Sequence, residues 1–286
     1  AVSEVTLDRV ETELTRLWEV ELSRPGIVEH PARLRTMTVI AVCPDAALED
    51  SVDHVLAHVA AIHHVRTILL SWHEAHGAPD AADRLTAEVQ LHRRGGLPVA
   101  ESIHVHVRGR ARSWIPDALA QVVPFDLPVH LWWVSDLPHD DDLFDRLAAQ
   151  ADRVILDTSE RKISELAILA RLLAAKDGSR QPTPRRARLD IVDFCWLRLR
   201  TWQELTARFF DDPGCRDDLK TLQRIVVSYL PVGKHQVAPS SSTPPSTQAV
   251  LYASWLAARL HWRGVGWELG ARHRAIFEGL QGHIEV

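Results

Sequence analysis

The sequence predicts an α/β fold: a Rossmann-like mixed, mainly parallel sheet with an antiparallel edge hairpin, followed by a smaller α+β C-terminal domain. Three observations predict it. Short apolar runs alternate with helical patterns in the first half, two stretches alternate strictly between polar and apolar residues, and the composition changes after about residue 180. Alternating strands and helices are typical of parallel strands joined by crossovers, and strict polar–apolar alternation is typical of strands with one wet face.

The chain begins with a β-α-β pattern. Apolar residues at three- and four-residue spacing predict a helix over Thr6–Leu22, with Thr6 as its N-cap. Apolar runs predict strands over Leu34–Cys43 and Arg66–Trp72, and the helical spacing of Ala46–His63 predicts the crossover between them. Such a crossover makes the two strands parallel.

Two alternating stretches follow, from Thr86 to His92 and from Ser102 to Arg108. The segment between them contains Gly-Gly-Leu-Pro at residues 95–98, which is a turn signal. Each stretch has one apolar and one polar face, so we predict an antiparallel hairpin at the sheet edge.

The apolar run Val129–Val134 contains two adjacent tryptophans between proline-bearing segments. A short apolar run bounded by turn signals predicts a strand that is buried on both faces. Adjacent strand residues point to opposite faces, so Trp132 and Trp133 cannot share a pocket, and we expect both in the core. The run ends in Ser135 and Asp136, at the carboxyl edge where open α/β sheets bind ligands.

The rest of the first domain follows the same alternation. Helices are predicted over Ser113–Val123, Asp141–Ala149 and Lys162–Lys176, and a strand over Arg153–Asp157. Asp177–Ala187 has the composition of a linker. We therefore predict a first domain over residues 1–180 and a second over residues 188–286.

A long amphipathic helix is predicted to open the second domain. Asp190 is expected to cap it, and it runs through Phe210. Five residues form its apolar face: Cys195, Leu199, Trp202, Leu205 and Phe209.

The remaining elements of the second domain are predicted from composition. Leu219–Leu230 is expected to be a strand or a strand pair, and Pro231–Thr247 a mobile loop. Gln248–Arg263 predicts a helix that is apolar nearly all round and therefore deeply buried. Trp267–Leu269 and His283–Val286 are candidate short strands.

Bulk properties argue against several classes of protein. The net charge of −5 argues against a dedicated nucleic-acid binder. No apolar run reaches 18 residues and no signal-peptide pattern is present, so we expect no membrane partner. Three cysteines form neither a C-x-x-C motif nor a disulfide framework, which predicts a cytoplasmic protein. Ten tryptophans indicate a tryptophan-rich core or interface.

No cofactor motif is complete in this sequence. Gly264–Gly270 has the spacing G-x-G-x-x-x-G, which differs from a dinucleotide fingerprint. The first β-α turn, Cys43-Pro44-Asp45, lacks the glycine of a pyrophosphate cradle, and no Walker loop or nucleophile elbow occurs. We therefore predict no bound cofactor.

Two groups of histidines are candidate metal ligands. Residues 73–76, H-E-A-H, lack the spacing that puts both imidazoles of H-E-x-x-H on one helix face. His104 and His106 must share one face of the hairpin and His92 could join them, so three imidazoles could bind zinc. The same face carries other polar residues, and exposure to solvent is enough to explain all of them. We therefore predict no metal site.

The strand ends offer a candidate ligand rim. Four of its residues are Ser135, Asp136, Asp157 and Ser159, and Asp45 and His73 belong to the same edge. Carboxylates and hydroxyls suit acid–base chemistry or sugar binding, yet such groups often only cap helices. We predict no catalytic residues, and keep as the alternative a sugar-phosphate- or nucleotide-binding enzyme or sensor that uses this edge.

Cys215 is a candidate reactive thiol, but its surroundings are unfavourable. Cys215 lies in D-D-P-G-C-R-D-D, where the aspartates disfavour a thiolate and Arg216 alone opposes them. Cys195 is expected in the core.

Six segments carry a family resemblance. They are V-T-L-D-R-V-E-T-E-L-T-R-L-W at Val5–Trp18, R-L-R-T-M-T-V-I-A-V at Arg33–Val42, D-L-P-V-H-L-W-W-V-S at Asp126–Ser135, A-D-R-V-I-L-D-T-S at Ala151–Ser159, D-F-C-W-L-R-L-R-T-W-Q-E-L at Asp193–Leu205 and A-S-W-L-A-A-R-L at Ala253–Leu260. In this order and spacing, they resemble the OpcA family, the glucose-6-phosphate dehydrogenase assembly proteins of bacteria.

The resemblance implies a non-catalytic partner rather than an enzyme. Family members bind glucose-6-phosphate dehydrogenase, favour its assembled oligomer and activate it, which feeds NADPH production in the oxidative pentose phosphate pathway. NADP would then belong to the dehydrogenase, in agreement with the missing pyrophosphate cradle. The family offers no catalytic residues to carry over.

Tryptophan and arginine are frequent anchors of protein interfaces. Trp196 and Arg200 lie about one helical turn apart and off the apolar face, so they are our candidate partner interface. The competing interpretation is that Trp196 packs beneath the linker. Trp72, Trp114 and Trp267 are weaker candidates.

Overall fold

The structure is a computed structural model of the chain. It describes residues 3–24, 33–72, 83–124, 126–138, 141–159, 161, 165–170, 190–222, 224–228, 246–268, 274–279 and 282–285. The described residues up to Leu156, with Asp190 and Ile191, form one compact unit, and the others form a second. The predicted domain boundary and the predicted linker lie outside the described residues.

An eight-stranded sheet organises the first unit. Its strands are β1 Ser3–Thr6, β2 Met37–Cys43, β3 Val65–Trp72, β4 Arg84–Arg94, β5 Leu97–Arg108, β6 Val129–Trp133, β7 Arg153–Leu156 and β8 Asp190–Asp193. The strand order is β1-β4-β5-β3-β2-β6-β7-β8. The five strands from β5 to β7 in this order pair in parallel, whereas β4 pairs antiparallel with both β1 and β5. The predicted mainly parallel α/β fold is therefore confirmed.

Helices cover both faces of this sheet. They are α1 Val10–Leu22, α2 Ala46–Ile62, α3 Ile115–Leu119 and α4 Asp142–Ala148. Aspartates cap α2 and α4: Asp45 accepts from the amide of Ala47 at 2.9 Å, and Asp141 accepts from the amide of Leu143 at 3.0 Å. Such short side chains satisfy amides that have no partner within the helix.

The hairpin is formed as predicted, but it is not at the edge. Gly95 and Gly96 occupy the turn with φ of 61° and 84°, which glycine adopts without a steric penalty. β1 pairs with β4 and covers its outer side. Thr6, the predicted N-cap, ends β1 and stands at the N-cap position of a 3-10 helix, Leu7–Arg9, but its side chain makes no capping hydrogen bond. Ser3–Thr6 is too short and polar to give a strand signal, and its pairing depends on the neighbouring strand.

The two tryptophans of β6 point to opposite faces, as predicted. Trp133 is buried, its ring meets Phe144 edge-on at 5.2 Å, and its Nε1 donates to the carbonyl of Asp136 at 2.9 Å. Trp132 packs against the core cluster that contains Val39 and Leu56, but it is only half-buried. The expectation that both faces of this strand are fully buried is therefore wrong for the face of Trp132.

A charged group that sequence analysis missed lies in the core of the first unit. The side chains of Arg66 and Glu101 are 0% and 1% exposed, and two hydrogen bonds of 2.8 and 2.6 Å join them. Glu101 also accepts from Nε1 of Trp18 at 2.9 Å and from Nε of Arg33. Glu11 accepts from Arg66 as well, so α1 is tied to the sheet by buried polar contacts.

The second unit combines helices with a small antiparallel sheet, which fits the predicted α+β class. Its main helices are α5 Phe194–Asp211, α6 Pro213–Arg216 and α7 Thr247–Arg259, and its strands are β9 Arg263–Glu268, β10 Arg274–Gly279 and β11 Gly282–Glu285. The strand order is β11-β10-β9. Strands predicted near Trp267 and His283 are present, and β10 was not predicted.

Three predictions for the second unit are wrong. Asp193 caps α5, because β8 occupies Asp190–Asp193. Leu219–Leu230 contains no strand beyond a single bridge residue within its described part, and a 3-10 helix ends at Lys220. The helix predicted over Gln248–Arg263 ends at Arg259 and buries one face only, so its apolar character does not reflect burial all round.

Several other predictions fall outside the described residues. They are the H-E-A-H segment, the loop over Pro231–Thr247 as far as residue 245, and the helix over Lys162–Lys176 except for a helical stretch at residues 166–170. Within the part of the chain that the structure describes, no helix has the length and apolar character needed to cross a membrane.

Candidate functional site

The strand order defines where an open α/β sheet binds ligands. From β2 the chain crosses over to β3 on one side, while β6 lies on the other side, so the order reverses between β2 and β6. Ligands of such sheets bind at the carboxyl ends of the strands at this point. Cys43 ends β2 here and Asp45 follows it, and Ser135 and Asp136 follow β6.

The N-terminus of α2 at this crevice is occupied by a carboxylate. Asp45 accepts the Ala47 amide, which is one of the groups that would otherwise bind phosphate, and it adds negative charge there. Cys43 is buried, and burial raises the pKa of its thiol to about 11, so it is a neutral core residue. The crevice therefore offers a poor environment for a pyrophosphate.

The predicted ligand rim is divided between the two units. Ser135 and Asp136 belong to the first unit, and Asp157 and Ser159 belong to the second. Asp157 accepts from the Ser159 amide at 3.0 Å and from both Nη atoms of Arg198 at 3.0 and 2.8 Å. Burial alone would raise the pKa of Asp157, but these hydrogen bonds outweigh it and lower the pKa. Asp157 is thus an ionised partner of Arg198, an arginine that sequence analysis did not single out.

The start of α5 is held by a buried polar cluster in the second unit. Asp193 accepts from the amides of Thr158 and Cys195 at 3.0 Å each, and from the Thr158 hydroxyl at 2.6 Å. Cys195 is buried, as predicted, and burial raises the pKa of its thiol to about 11. Cys215, the other candidate thiol, is half-buried on α6. This cluster fixes the position of α5.

Beyond its first two turns, α5 is exposed where the sequence predicts burial. Only Cys195 and Leu199 of the predicted apolar face are buried, whereas Trp202 is 63% and Phe209 61% exposed. The periodicity correctly gives an apolar stripe, but α7 covers only part of it. We call the exposed residues the α5 surface. They are Trp196, Leu197, Trp202, Leu205 and Phe209.

The predicted interface pair lies on this helix. Trp196 is 40% exposed, and Arg200 is exposed with an ion pair to Glu204 at 3.3 Å. The alternative in which Trp196 packs beneath the linker involves residues outside the described part. Of the weaker candidates, Trp114 is exposed and Trp72 lies under the guanidinium of Arg112 at 5.2 Å.

A cavity of about 1080 Å³ lies beside the α5 surface, between α5 and α7. Its walls include Leu199, Trp202, Phe210, Tyr252 and Trp255. One polar contact across it is a hydrogen bond between the hydroxyls of Thr206 and Tyr252. The second unit therefore presents exposed aromatic rings next to an apolar cavity, the kind of surface that binds proteins or apolar ligands.

The histidines of the hairpin are arranged differently from the predicted trio. Nε2 of His92 is hydrogen-bonded to the Ser102 hydroxyl at 2.7 Å. His104 and His106 lie side by side, with ring centroids 4.1 Å apart, and Glu49 of α2 joins them. Sequence analysis missed Glu49, because only the packing of α2 on the sheet brings it near these histidines.

These features define a class of protein: a Rossmann-like α/β unit with a capping aspartate at its switch point, and an α+β unit with an exposed aromatic helix. Comparison with known families is more specific. Residues 29–172 match the glucose-6-phosphate dehydrogenase subunit N-terminal domain, and residues 189–282 match the C-terminal domain of the same subunit. The chain belongs to the OpcA family, as the six sequence segments predict.

Similar proteins occur in cyanobacteria and are named OxPP cycle protein OpcA. The chain is 25% identical to that of Synechocystis sp. over 259 residues, which cover 89% of the chain and 43% of the relative. It is 32% identical to that of Nostoc punctiforme over 142 residues, 50% of the chain and 26% of the relative. The protein of Synechococcus elongatus is 33% identical over 141 residues, 49% of the chain and 27% of the relative. The chain thus spans less than half the length of these relatives.

Proposed function

We propose that the chain binds glucose-6-phosphate dehydrogenase as a non-catalytic assembly factor and allosteric activator, and promotes its active oligomer in the oxidative pentose phosphate pathway. Two findings support this partner. Both family models carry the name of a glucose-6-phosphate dehydrogenase subunit, and the relatives are named for the OxPP cycle.

The observation that carries the proposal is the α5 surface. Interface hot spots are enriched in tryptophan and arginine, and contiguous exposed apolar residues are typical of contact sites. Trp202, Leu205 and Phe209 are exposed on one side of α5. The candidate pair Trp196 and Arg200 is exposed on the same helix, off that stripe. We propose that α5 contacts the dehydrogenase.

A non-catalytic role is supported by the polar groups at the strand ends. Asp45 is used as a helix cap, and Asp157 is paired with Arg198. A general acid or base needs a pKa near the working pH, whereas the pKa of Asp157 is lowered from an already acidic value. These carboxylates are therefore better suited to holding structure than to transferring protons.

Activation requires unequal binding to two states of the dehydrogenase. A ligand shifts an equilibrium only by its difference in affinity for the two states, and each factor of ten corresponds to about 1.4 kcal/mol. A surface that contacts two dehydrogenase subunits at once provides such a difference, because the contact is complete only in the assembled oligomer. This is how we expect the chain to favour assembly.

Size-exclusion chromatography with light scattering tests the partnership. The purified chain, mixed with the dehydrogenase of the same organism, is expected to co-elute with it in a complex of defined mass. Bovine serum albumin replaces the dehydrogenase as the control and should elute separately. Separate elution of chain and dehydrogenase at micromolar concentrations would argue against the proposal.

A further inference from the structure

Three metal-binding side chains converge at the carboxyl edge of the sheet in the first unit. Glu49, His104 and His106 each offer one ligand atom, and these atoms lie within 4.8 Å of one another. Oε1 of Glu49 is 3.2 Å from Nε2 of His104. Donors around a tetrahedral zinc ion with bonds of about 2.0–2.2 Å are about 3.4 Å apart, so small side-chain rotations would complete the set.

The fold places these side chains together. His104 and His106 are two residues apart on β5, so both project toward α2, and in the parallel register they lie opposite Leu69 and Ser71 near the end of β3. Glu49 belongs to the first turn of α2, which packs on β5 and β3. The group thus combines a strand pair with a helix residue that is distant in sequence.

The environment of the histidines favours metal ligation over a charged network. Nε2 of His106 is buried and has no hydrogen-bond partner in the described part of the chain, although Oε1 of Glu88 lies 3.5 Å away. An imidazole nitrogen without a hydrogen-bond partner is available to a metal ion.

We propose that Glu49, His104 and His106 form a zinc-binding site that clamps the start of α2 to β5. Two histidines and a glutamate are an established zinc donor set, and they leave a fourth position open. The Ser71 hydroxyl is hydrogen-bonded to Nε2 of His104 at 2.8 Å, and a metal ion bound to this nitrogen would replace that hydrogen bond. The site adds a function to the first unit and does not depend on binding to the dehydrogenase.

Metal titration of the purified chain tests the site. After treatment with a chelator, the chain is titrated with Co²⁺, which gives a strong visible absorption in tetrahedral sites, and with Zn²⁺ against a chromophoric chelator. We expect one equivalent of Zn²⁺ to bind with a Kd near or below about 1 μM, and Zn²⁺ to raise the Tm. The variants His104→Ala and Glu49→Gln are expected to bind at least about tenfold more weakly.

Two control variants separate this site from other histidines. His54→Ala removes an exposed imidazole of α2, and a double change of His73 and His76 to alanine removes the H-E-A-H histidines. Both controls are expected to bind Zn²⁺ like the unchanged chain. Glu49→Gln keeps the shape of the side chain and removes its charge, so a loss of binding in that variant with an unchanged circular dichroism spectrum supports the site. Equal binding by the unchanged chain and Glu49→Gln, or no binding at about 100 μM Zn²⁺, would overturn it.

Discussion

At the residue scale, the buried pair of Arg66 and Glu101 is a costly polar feature of the first unit. Both side chains have lost their hydration, and their attraction together with the contacts from Trp18 and Arg33 offsets that cost. Replacing such a pair with apolar residues is often neutral, whereas removing one partner leaves an unpaired buried charge. The pair therefore makes the first unit sensitive to single substitutions.

Arg66→Ala should reveal this sensitivity. It leaves the Glu101 carboxylate buried without its main partner, and we expect the free energy of unfolding to fall by about 3–5 kcal/mol. Urea unfolding followed by circular dichroism measures the loss. Arg16→Ala, which removes an exposed i,i+3 pair with Glu13, is the control and should leave the midpoint unchanged. Equal midpoints for the two variants would contradict the account.

The same pair predicts how stability depends on pH. Burial alone would raise the pKa of Glu101, but Arg66 and Arg33 outweigh it and lower the pKa below the value of 4.5 expected in the unfolded chain. The folded state therefore binds the Glu101 proton less tightly than the unfolded chain does. The contribution of the Glu101 carboxylate to stability is complete above pH 4.5, and it is lost as the pH falls through the lower pKa of the folded state. Urea midpoints between pH 7 and 3 should therefore fall mainly below about pH 4.5, and less steeply in Glu101→Gln.

At the element scale, the sequence predicts best where burial alone decides the structure. The central strands are nearly continuous apolar runs, because helices cover both faces of a parallel sheet. Strands β2, β3 and β6 lie where predicted, although the Trp132 face of β6 is only half-buried. β1 was missed because its pairing, and not its sequence, makes it a strand. The Asp157–Ser159 contact follows from neighbours in sequence, whereas Arg198 and Glu49 reach their partners only through tertiary packing.

The helix α5 shows the limit of periodicity. Its apolar stripe predicts a buried face, yet a repeat of apolar residues does not say what covers them. Cys195 and Leu199 are buried, while Trp202 and Phe209 further along the same stripe are exposed. We attribute this difference to a partner surface rather than to the chain's own core.

Substitutions on the α5 surface test this interpretation. Trp202→Ser and Phe209→Ser remove exposed rings, so the chain's free energy of unfolding should change by less than about 0.5 kcal/mol. The affinity for the dehydrogenase should fall at least about tenfold, since hot-spot truncations cost more than about 1.4 kcal/mol. Biolayer interferometry against the immobilised dehydrogenase measures the affinity. Val55→Ser, at an exposed position of α2, is the control. An equally large loss of affinity in this control would argue against a specific role for α5.

At the scale of the whole molecule, the fold and the proposed function agree with each other. The parallel strands β5-β3-β2-β6-β7 have a doubly wound order, and Asp45 caps α2 at the switch point. The sequence predicts these strands and places an aspartate, with no glycine, in the first β-α turn. What it could not predict is the exposure of the α5 surface, because exposure depends on the complete packing of the second unit.

Steady-state kinetics of the dehydrogenase tests the central claim most directly. Glucose 6-phosphate saturation curves are measured for the dehydrogenase of the same organism with increasing amounts of the chain, and with Trp202→Ser as the matched variant. We predict that the chain lowers the KM or raises the kcat, that the effect saturates near a fixed molar ratio, and that Trp202→Ser requires at least about tenfold more protein. Saturation curves that do not change at any concentration of the chain would contradict its role as an activator.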